Sequence, residues 1–242
     1  MAQPIRLILI RHGQSQWNLE NRFTGWADVD LTEEGAQQMR DAAVALCQAG
    51  LRFDIAYTSM LRRCIRSQWI LLDAMDRMWL PQVCDWRLNE RHYGALTGLL
   101  KADAERIHGA AKVQQWRRSY EACPPPLMAD DHAFARLDER YGALGPSQFP
   151  LAESLKQTVE RVLPLWEMTL VPILKAGKQV LITAHGNSLR ALIKHLDGMA
   201  DRDVVALEVP NAVPLVYELD QDLVPIHRTW LAVPPRSASG IL

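Results

Sequence analysis

The chain has 242 residues, 48% of them hydrophobic, which is enough for a sizeable core and, by length alone, for one or two domains. A formal net charge of -1 leaves no global basic field, which argues against nucleic acid or an anionic membrane as partner, so any anion site must be local. No Gly/Ser/Pro-rich linker divides the sequence and no stretch is long and apolar enough to span a bilayer, so one domain over 1–242 is expected.

The start, Met1-Ala2-Gln3-Pro4-Ile5-Arg6, has no apolar run behind its positive residue of the kind a secretory leader carries, and a cytoplasmic setting is expected. Cys47, Cys64, Cys84 and Cys123 lack any Cys-x-x-Cys spacing and suit reduced packing residues in that compartment.

In chain order, Ile5-Arg6-Leu7-Ile8-Leu9-Ile10 reads as a buried strand that stops at Arg11-His12-Gly13. Asp30-Leu31-Thr32-Glu33-Glu34 supplies capping oxygens and first-turn acids for a helix over about 32–49, with Gly50 as its stop. Phe53 to Ser59 is a short strand with a polar corner, and Met60 to Asp76 has apolar positions at helical spacing. This β-α-β-α opening predicts an α/β fold, a three-layer α/β/α sandwich with a mostly parallel central sheet covered on both faces.

From Leu80 to Pro150 the pattern is less regular. Short helices around Lys101–His108 and Lys112–Tyr120 precede Cys123-Pro124-Pro125-Pro126, and the stretch at about 88–150 reads as an insertion capping the active site. A long helix follows over Glu153–Leu174, which Pro164 should kink and Pro172 should disturb in its last turn. Gln179 to Ala184 is a second apolar strand that runs into His185-Gly186-Asn187, then a helix from Asn187 to Leu196 closes at Gly198. Late strands are expected at Leu215–Leu219 and Pro225–Trp230.

The two strand endings at His-Gly carry the chemistry. If the strands lie parallel in one sheet, both imidazoles reach the crevice at its carboxyl edge, where α/β sheets bind ligands. Arg11 offers a planar fork to phosphate or carboxylate. Gly13 lets a carbonyl hold the His12 Nδ1–H and leaves Nε2 free as a nucleophile. Ser15 and Asn18 lie just beyond and can donate to the same anion. His185 sits at a helix start, where backbone N–H groups favour a phosphoryl group and a charged imidazole would neutralise developing charge.

Glu90, within Arg87-Leu88-Asn89-Glu90-Arg91-His92-Tyr93-Gly94, fits a proton shuttle, a role worth about 10² to 10⁴ in rate, with Arg91 and Tyr93 binding substrate. Arg62-Arg63, Lys101 and Trp116-Arg117-Arg118 add cations suited to a small substrate with several phosphate and carboxylate charges. No G-x-x-x-x-G-K-[ST] or G-x-G-x-x-G segment indicates a nucleotide cradle. No H-x-H or H-E-x-x-H spacing suggests a metal, and none is expected beside an arginine and a helix N-terminus. The residues alone lead to a phosphate-handling histidine pair without a named substrate.

Arg11-His12-Gly13-Gln14-Ser15-Gln16-Trp17-Asn18, Asn21-Arg22-Phe23-Thr24-Gly25-Trp26, Leu88 to Gly94, Trp116-Arg117-Arg118 and Ala184-His185-Gly186-Asn187-Ser188-Leu189-Arg190 together resemble the cofactor-dependent phosphoglycerate mutases of the histidine phosphatase superfamily. The likeness runs from about Leu7 to Leu219. It implies a phosphoglycerate mutase-like fold and interconversion of 3-phosphoglycerate and 2-phosphoglycerate in glycolysis and gluconeogenesis. The reaction would pass through a phosphohistidine primed by 2,3-bisphosphoglycerate, without a metal.

By the same resemblance His12 carries the phosphoryl group, Glu90 is general acid and base, and His185 stabilises the transition state with Arg11 and Arg63. Substrate would be bound by Arg11, Gly13, Gln14, Ser15, Gln16, Trp17, Asn18, Thr24, Gly25, Arg63, Glu90, Arg91, His92, Tyr93, Lys101, Arg117, Arg118, Gly186 and Asn187. A homo-oligomer, dimer or tetramer, is also implied.

Departures from the family pattern are local. The stretch Met128–Gln148 follows it loosely, and Leu100 replaces a residue that is commonly polar. Asn211-Ala212 stands where a residue-then-glycine pair is usual and is expected to shift a loop near the site. The final Arg236 to Leu242 lack the alanine- and lysine-rich tail that closes many relatives' pockets. A histidine-type phosphatase hydrolysing a small phosphorylated metabolite such as 2,3-bisphosphoglycerate would use the same residues and is the alternative. A non-catalytic phosphoglycerate-binding protein is disfavoured by the intact His12, Glu90 and His185.

Overall fold

A computed structural model describes residues 4–128, 138–142, 144–145 and 148–233. Much of the loosely matching 128–148 stretch and the tail beyond residue 233 lie outside these residues. The strand expected over Ile5–Ile10 forms β1, Ile5–Arg11, and Ile55–Thr58 and Gln82–Cys84 form β2 and β3. Val180–Ala184, Leu215–Leu219 and Pro225–Trp230 are β4, β5 and β6. They make one sheet in the order β3-β2-β4-β1-β5-β6. The β3-β2, β2-β4 and β4-β1 pairs are parallel; β5 is antiparallel to both its neighbours.

Side-chain alternation along β1 divides the core into two layers. Leu7 and Leu9, with Val180 and Ile182 of β4, pack under the helices Leu155–Leu165 and Gly186–Asp197. Ile8 and Ile10, with Leu181, pack under Glu33–Gln48 and Arg62–Ala74. Because both faces are covered, these parallel strands are apolar in continuous runs rather than alternating. The three-layer expectation therefore holds.

Helix limits follow the chain chemistry. Thr32 Oγ1 accepts the Gly35 N–H at 3.0 Å to open the helix Glu33–Gln48, and Gly50 beyond its end takes a φ of 64°. Ser154 and Gln157 form a capping box on Leu155–Leu165. The helix passes through Pro164, whereas Pro172 does disturb its end as expected: a π-helical turn at Trp166–Leu170 separates it from Val171–Lys175. Pro172 has no N–H to donate to the preceding turn, so a widened turn there relieves its ring.

Elements that were not legible include β3, the single turn Gln16–Leu19 and the helix Asp201–Ala206. Each is too short to show a period. Among the described residues no helix is long and apolar enough to cross a membrane, and Cys47, Cys64, Cys84 and Cys123 are all free thiols.

Candidate active site

Arg11 of β1 lies opposite Ala184 of β4, so the next residue on each strand is a histidine at the same sheet edge. His12 N donates to Ala184 O at 3.0 Å, and the two rings meet edge-on with centroids 5.0 Å apart. His12 Nδ1 is 2.7 Å from the Gly13 carbonyl. That carbonyl can only accept, so Nδ1 carries the proton and Nε2 keeps its lone pair. Gly13 is required for a second reason: a Cβ there would lie 2.1 Å from the Gly35 carbonyl oxygen, where β1 runs into the start of the helix Glu33–Gln48.

Burial, followed by the charges of Arg63 and Arg11, holds His12 well below its ordinary pKa. Burial, Arg63, His12 and Arg11 do the same to His185. His185 Nε2 lies 2.9 Å from Ser59 Oγ and 3.2 Å from Cys64 Sγ, and the residue opens the helix Gly186–Asp197 in a capping box with Ser188. Ser59 follows β2, whose Thr58 pairs with Thr183 of β4. Three parallel strands thus end at one place, although the sequence pointed only to two.

The cavity at this edge has a volume of about 100 Å³ and is walled by Arg11, His12, Asn18, Arg22, Phe23, Thr24, Arg63, Glu90, Tyr93 and Lys101. Arg63 NH1 and NH2 donate to the Ala27 and Gly25 carbonyls, both at 2.8 Å, which fixes the fork. Arg11 NH1 donates to Val209 O at 2.9 Å, while its buried Nε has no partner. Burial comes first among the causes that lower Arg11 and Arg63, yet an arginine remains charged under any working condition. Lys101 Nζ donates to Asn21 Oδ1 at 2.7 Å; burial and the charge of Arg117 lower its pKa.

Glu90 reaches the cavity from the loop before the helix Lys101–His108. One carboxylate oxygen accepts from Arg91 N at 2.8 Å, Asn187 N at 3.2 Å and Asn187 Nδ2 at 2.8 Å. Arg190 NH1 donates to Asn187 Oδ1 at 3.1 Å, which settles which end of that amide faces Glu90. Tyr93 is lowered overall: burial raises it, but the charge of Arg91 and hydrogen bonds from Arg91 and Asn187 outweigh burial.

The Glu90 loop has a buried brace. Arg161 pairs with Glu153 at 2.6 Å and donates to the carbonyls of Arg87, Asn89 and Glu90, while Glu153 Oε2 accepts from His92 N at 2.8 Å. Trp26 Nε1 donates to Glu90 O at 2.6 Å.

Other expected binding residues stand further out. Ser15 Oγ caps the turn Gln16–Leu19 by accepting from Asn18 N, Gln14 Oε1 accepts from Thr32 Oγ1, and Gln16 donates to Glu20 on the surface. The Trp17 ring lies against Gly98. His92 packs between Trp26 and Phe149. Arg117 is 3.9 Å from Glu105, and Arg118 donates to Val205 O, so neither walls the cavity although both charges bear on Lys101. Gly186 opens the helix behind the pocket, beside Arg11.

Asn211-Ala212 keeps its loop on the site: Ala212 N donates to Arg11 O at 2.9 Å and Asn211 Nδ2 to His12 O at 2.7 Å. Ala212 does so at a φ of 55°, the region that favours the glycine usual in relatives. Sequence reading passed over Arg22, Phe23, Ser59, Cys64, Glu153, Arg161 and Arg190 as site residues. For most of them the signal was absent, because an ordinary core or helix position looks the same.

The histidine phosphatase superfamily, branch 1, matches residues 7–229, and the chain belongs to this family of phosphoryl-transfer and hydrolysis enzymes. Its fold is shared by a mycobacterial glucosyl-3-phosphoglycerate phosphatase in complex with VO3, at 25% identity and a TM-score of 0.68, with 90% of this chain and 93% of that chain covered. A putative alpha-ribazole-5'-P phosphatase from Escherichia coli is 23% identical, with a TM-score of 0.68 and coverage of 98% and 100%. Phosphoserine phosphatase from Entamoeba histolytica, in complex with 3-phosphoglyceric acid, is 19% identical, with a TM-score of 0.64 and coverage of 94% and 96%.

Proposed function

We propose that the enzyme interconverts 3-phosphoglycerate and 2-phosphoglycerate through a phosphohistidine at His12. The observation that carries this reading is a histidine with a free Nε2 facing a small cavity walled by Arg11, Arg63, Lys101 and the carboxylate of Glu90. Its size, about 100 Å³, is well below the roughly 300–1,000 Å³ of sites for drug-sized ligands, which supports a small phosphorylated acid. The unpartnered Arg11 Nε supports an anion, and the segments matching the mutases support a phosphoglycerate.

His12 Nε2 attacks phosphorus, so an N–P bond forms as the P–O bond of the donor breaks. Glu90 gives a proton to the departing oxygen and takes one from the hydroxyl that later attacks phosphohistidine, when the N–P bond breaks. Arg11, Arg63 and the N-terminus of the helix Gly186–Asp197 meet the charge spread over the metaphosphate-like transition state. When bound, 2,3-bisphosphoglycerate supplies the priming phosphoryl group, held by the same cations. The cytosol is the proposed setting, supported by four free thiols, and a homo-oligomer the proposed assembly, which sedimentation velocity tests.

Hydrolysis is the second reading, with water in place of the acceptor hydroxyl. The three relatives carry the names of phosphatases, one of them a putative one, which supports hydrolysis. One experiment separates the two: 3-phosphoglycerate with a trace of 2,3-bisphosphoglycerate, following 2-phosphoglycerate and free phosphate together. Isomerisation that depends on the bisphosphate and outpaces phosphate release supports the mutase; release without isomerisation assigns a phosphatase. His12→Ala should abolish protein labelling by the bisphosphate in either case, and persistent labelling would reject His12 as nucleophile.

A further inference from the structure

We propose that Ser67 and Asn211 are positioning residues that clamp the two ends of the His12–Gly13 peptide unit and so keep the His12 ring aimed as a nucleophile. The inference deepens the phosphoryl transfer proposed above and rests on it for the role of His12. Gly13 N donates to Ser67 Oγ at 3.1 Å, and Asn211 Nδ2 donates to the His12 carbonyl at 2.7 Å. A carbonyl only accepts, so the end of the Asn211 amide that faces it is the nitrogen. The N–H and the C=O of one peptide unit are thus each tied to a side chain from a different part of the sequence.

Ser67 is fully buried and lies one turn beyond Arg63 on the helix Arg62–Ala74, so a wall of the cavity and one jaw of the clamp share a helix face. Asn211 is placed by its neighbour: Ala212 N donates to Arg11 O at 2.9 Å, and the φ of 55° at Ala212 turns the chain there. On the near side of the nucleophile, His12 N is already held by Ala184 O at 3.0 Å. Ser67 and Asn211 hold the far side. The next carbonyl, Gly13 O, lies 2.7 Å from His12 Nδ1 and takes its proton, which leaves the lone pair on Nε2. Gly13 has no Cβ to restrict its backbone, so without the two ties rotation about the bonds that flank this peptide would carry the Gly13 carbonyl away from the ring. The His12 tautomer would then no longer be fixed.

Long-range proton–nitrogen correlation spectra of the ¹⁵N-labelled protein at pH 7.5, with the His12 signals assigned by their loss in His12→Ala, read the ring without any substrate. The wild type should show a protonated Nδ1 and a pyridine-like Nε2, and the reverse pattern overturns the inference. The Ser67→Ala/Asn211→Ala double variant should lose that fixed pattern and about tenfold in kcat, with KM little changed, as the loss of one or two neutral hydrogen bonds implies. Ser67→Thr, which keeps the hydroxyl, should stay close to the wild type in both readouts where Ser67→Ala does not. A double variant with the wild-type spectrum and rate overturns the inference, as do equal losses in Ser67→Thr and Ser67→Ala. If the double variant does not fold, Asn211→Ala, at a half-buried turn position, decides by the same two readouts. A wild type with the expected spectrum and no phosphoryl transfer rejects the functional reading, whereas active transfer that the substitutions leave unmoved rejects this one.

Discussion

His12 and His185 are neutral because the fold shields them and surrounds them with arginines, and this has a measurable consequence. In the unfolded chain each titrates near 6.5, whereas in the fold burial first, then Arg63 and other neighbouring cations, hold both well below that value. Below pH 6.5 the unfolded chain therefore binds protons that the fold refuses. This part of the stability is complete above pH 6.5 and is lost as pH falls, at up to about 1.4 kcal/mol per pH unit for each ring. Urea titrations from pH 7 down to pH 5 measure that slope, and His185→Asn should remove one ring's share. A slope indifferent to the substitution would reject the assignment. At Glu90 the expectation is kinetic: Glu90→Gln should retain the fold and lose about 10² to 10⁴ in kcat, measured as phosphoryl transfer under saturating substrate. His12, Glu90 and His185 were legible because strand endings and a charged loop mark them. Ser59 and Cys64 were not, since a serine after a strand and a cysteine in a helix have no signature until β2 and β4 pair.

The Glu90 loop shows what an element owes to distant chain. Arg161, on the helix Leu155–Leu165, holds the carbonyls of Arg87, Asn89 and Glu90 and is balanced by Glu153 at the head of that helix. Both side chains are almost fully buried, so removing one strands the other. Arg161→Met should cost about 3 to 5 kcal/mol in urea unfolding, and the remaining folded enzyme should lose activity because Glu90 is no longer held. A loss under about 1 kcal/mol would show that the loop stands without its brace. The helix itself was expected from the sequence, and the structure shows a capping box of Ser154 and Gln157 at its start. Its partner loop was not, because nothing in a one-dimensional pattern pairs position 161 with carbonyls some 70 residues earlier. Short elements such as β3 escaped for a related reason: Gln82–Cys84 is a strand only because β2 supplies its hydrogen bonds.

Across the whole molecule, the site stands on the most central strands. β4 and β1 occupy the middle of the six, and both layers of helices pack over them, whereas β6 is an edge strand with most of its residues exposed. Native-state hydrogen exchange should find the amides of Leu9, Ile10, Ile182 and Thr183 opening only with global unfolding, and those of β6 opening far more readily. Equal protection in β6 and β1 would contradict this gradient. The sequence by itself determined the α/β class, the late strands, the long helices and the chemical types at the two histidines, because periodicity and strand-end residues are local properties. The tertiary structure alone decided that three strand ends converge, that both histidines are held below their ordinary pKa, and which cations wall the cavity and which stand on its rim. Those outcomes depend on register, burial and the sum of nearby charges, which exist only once distant segments have packed together.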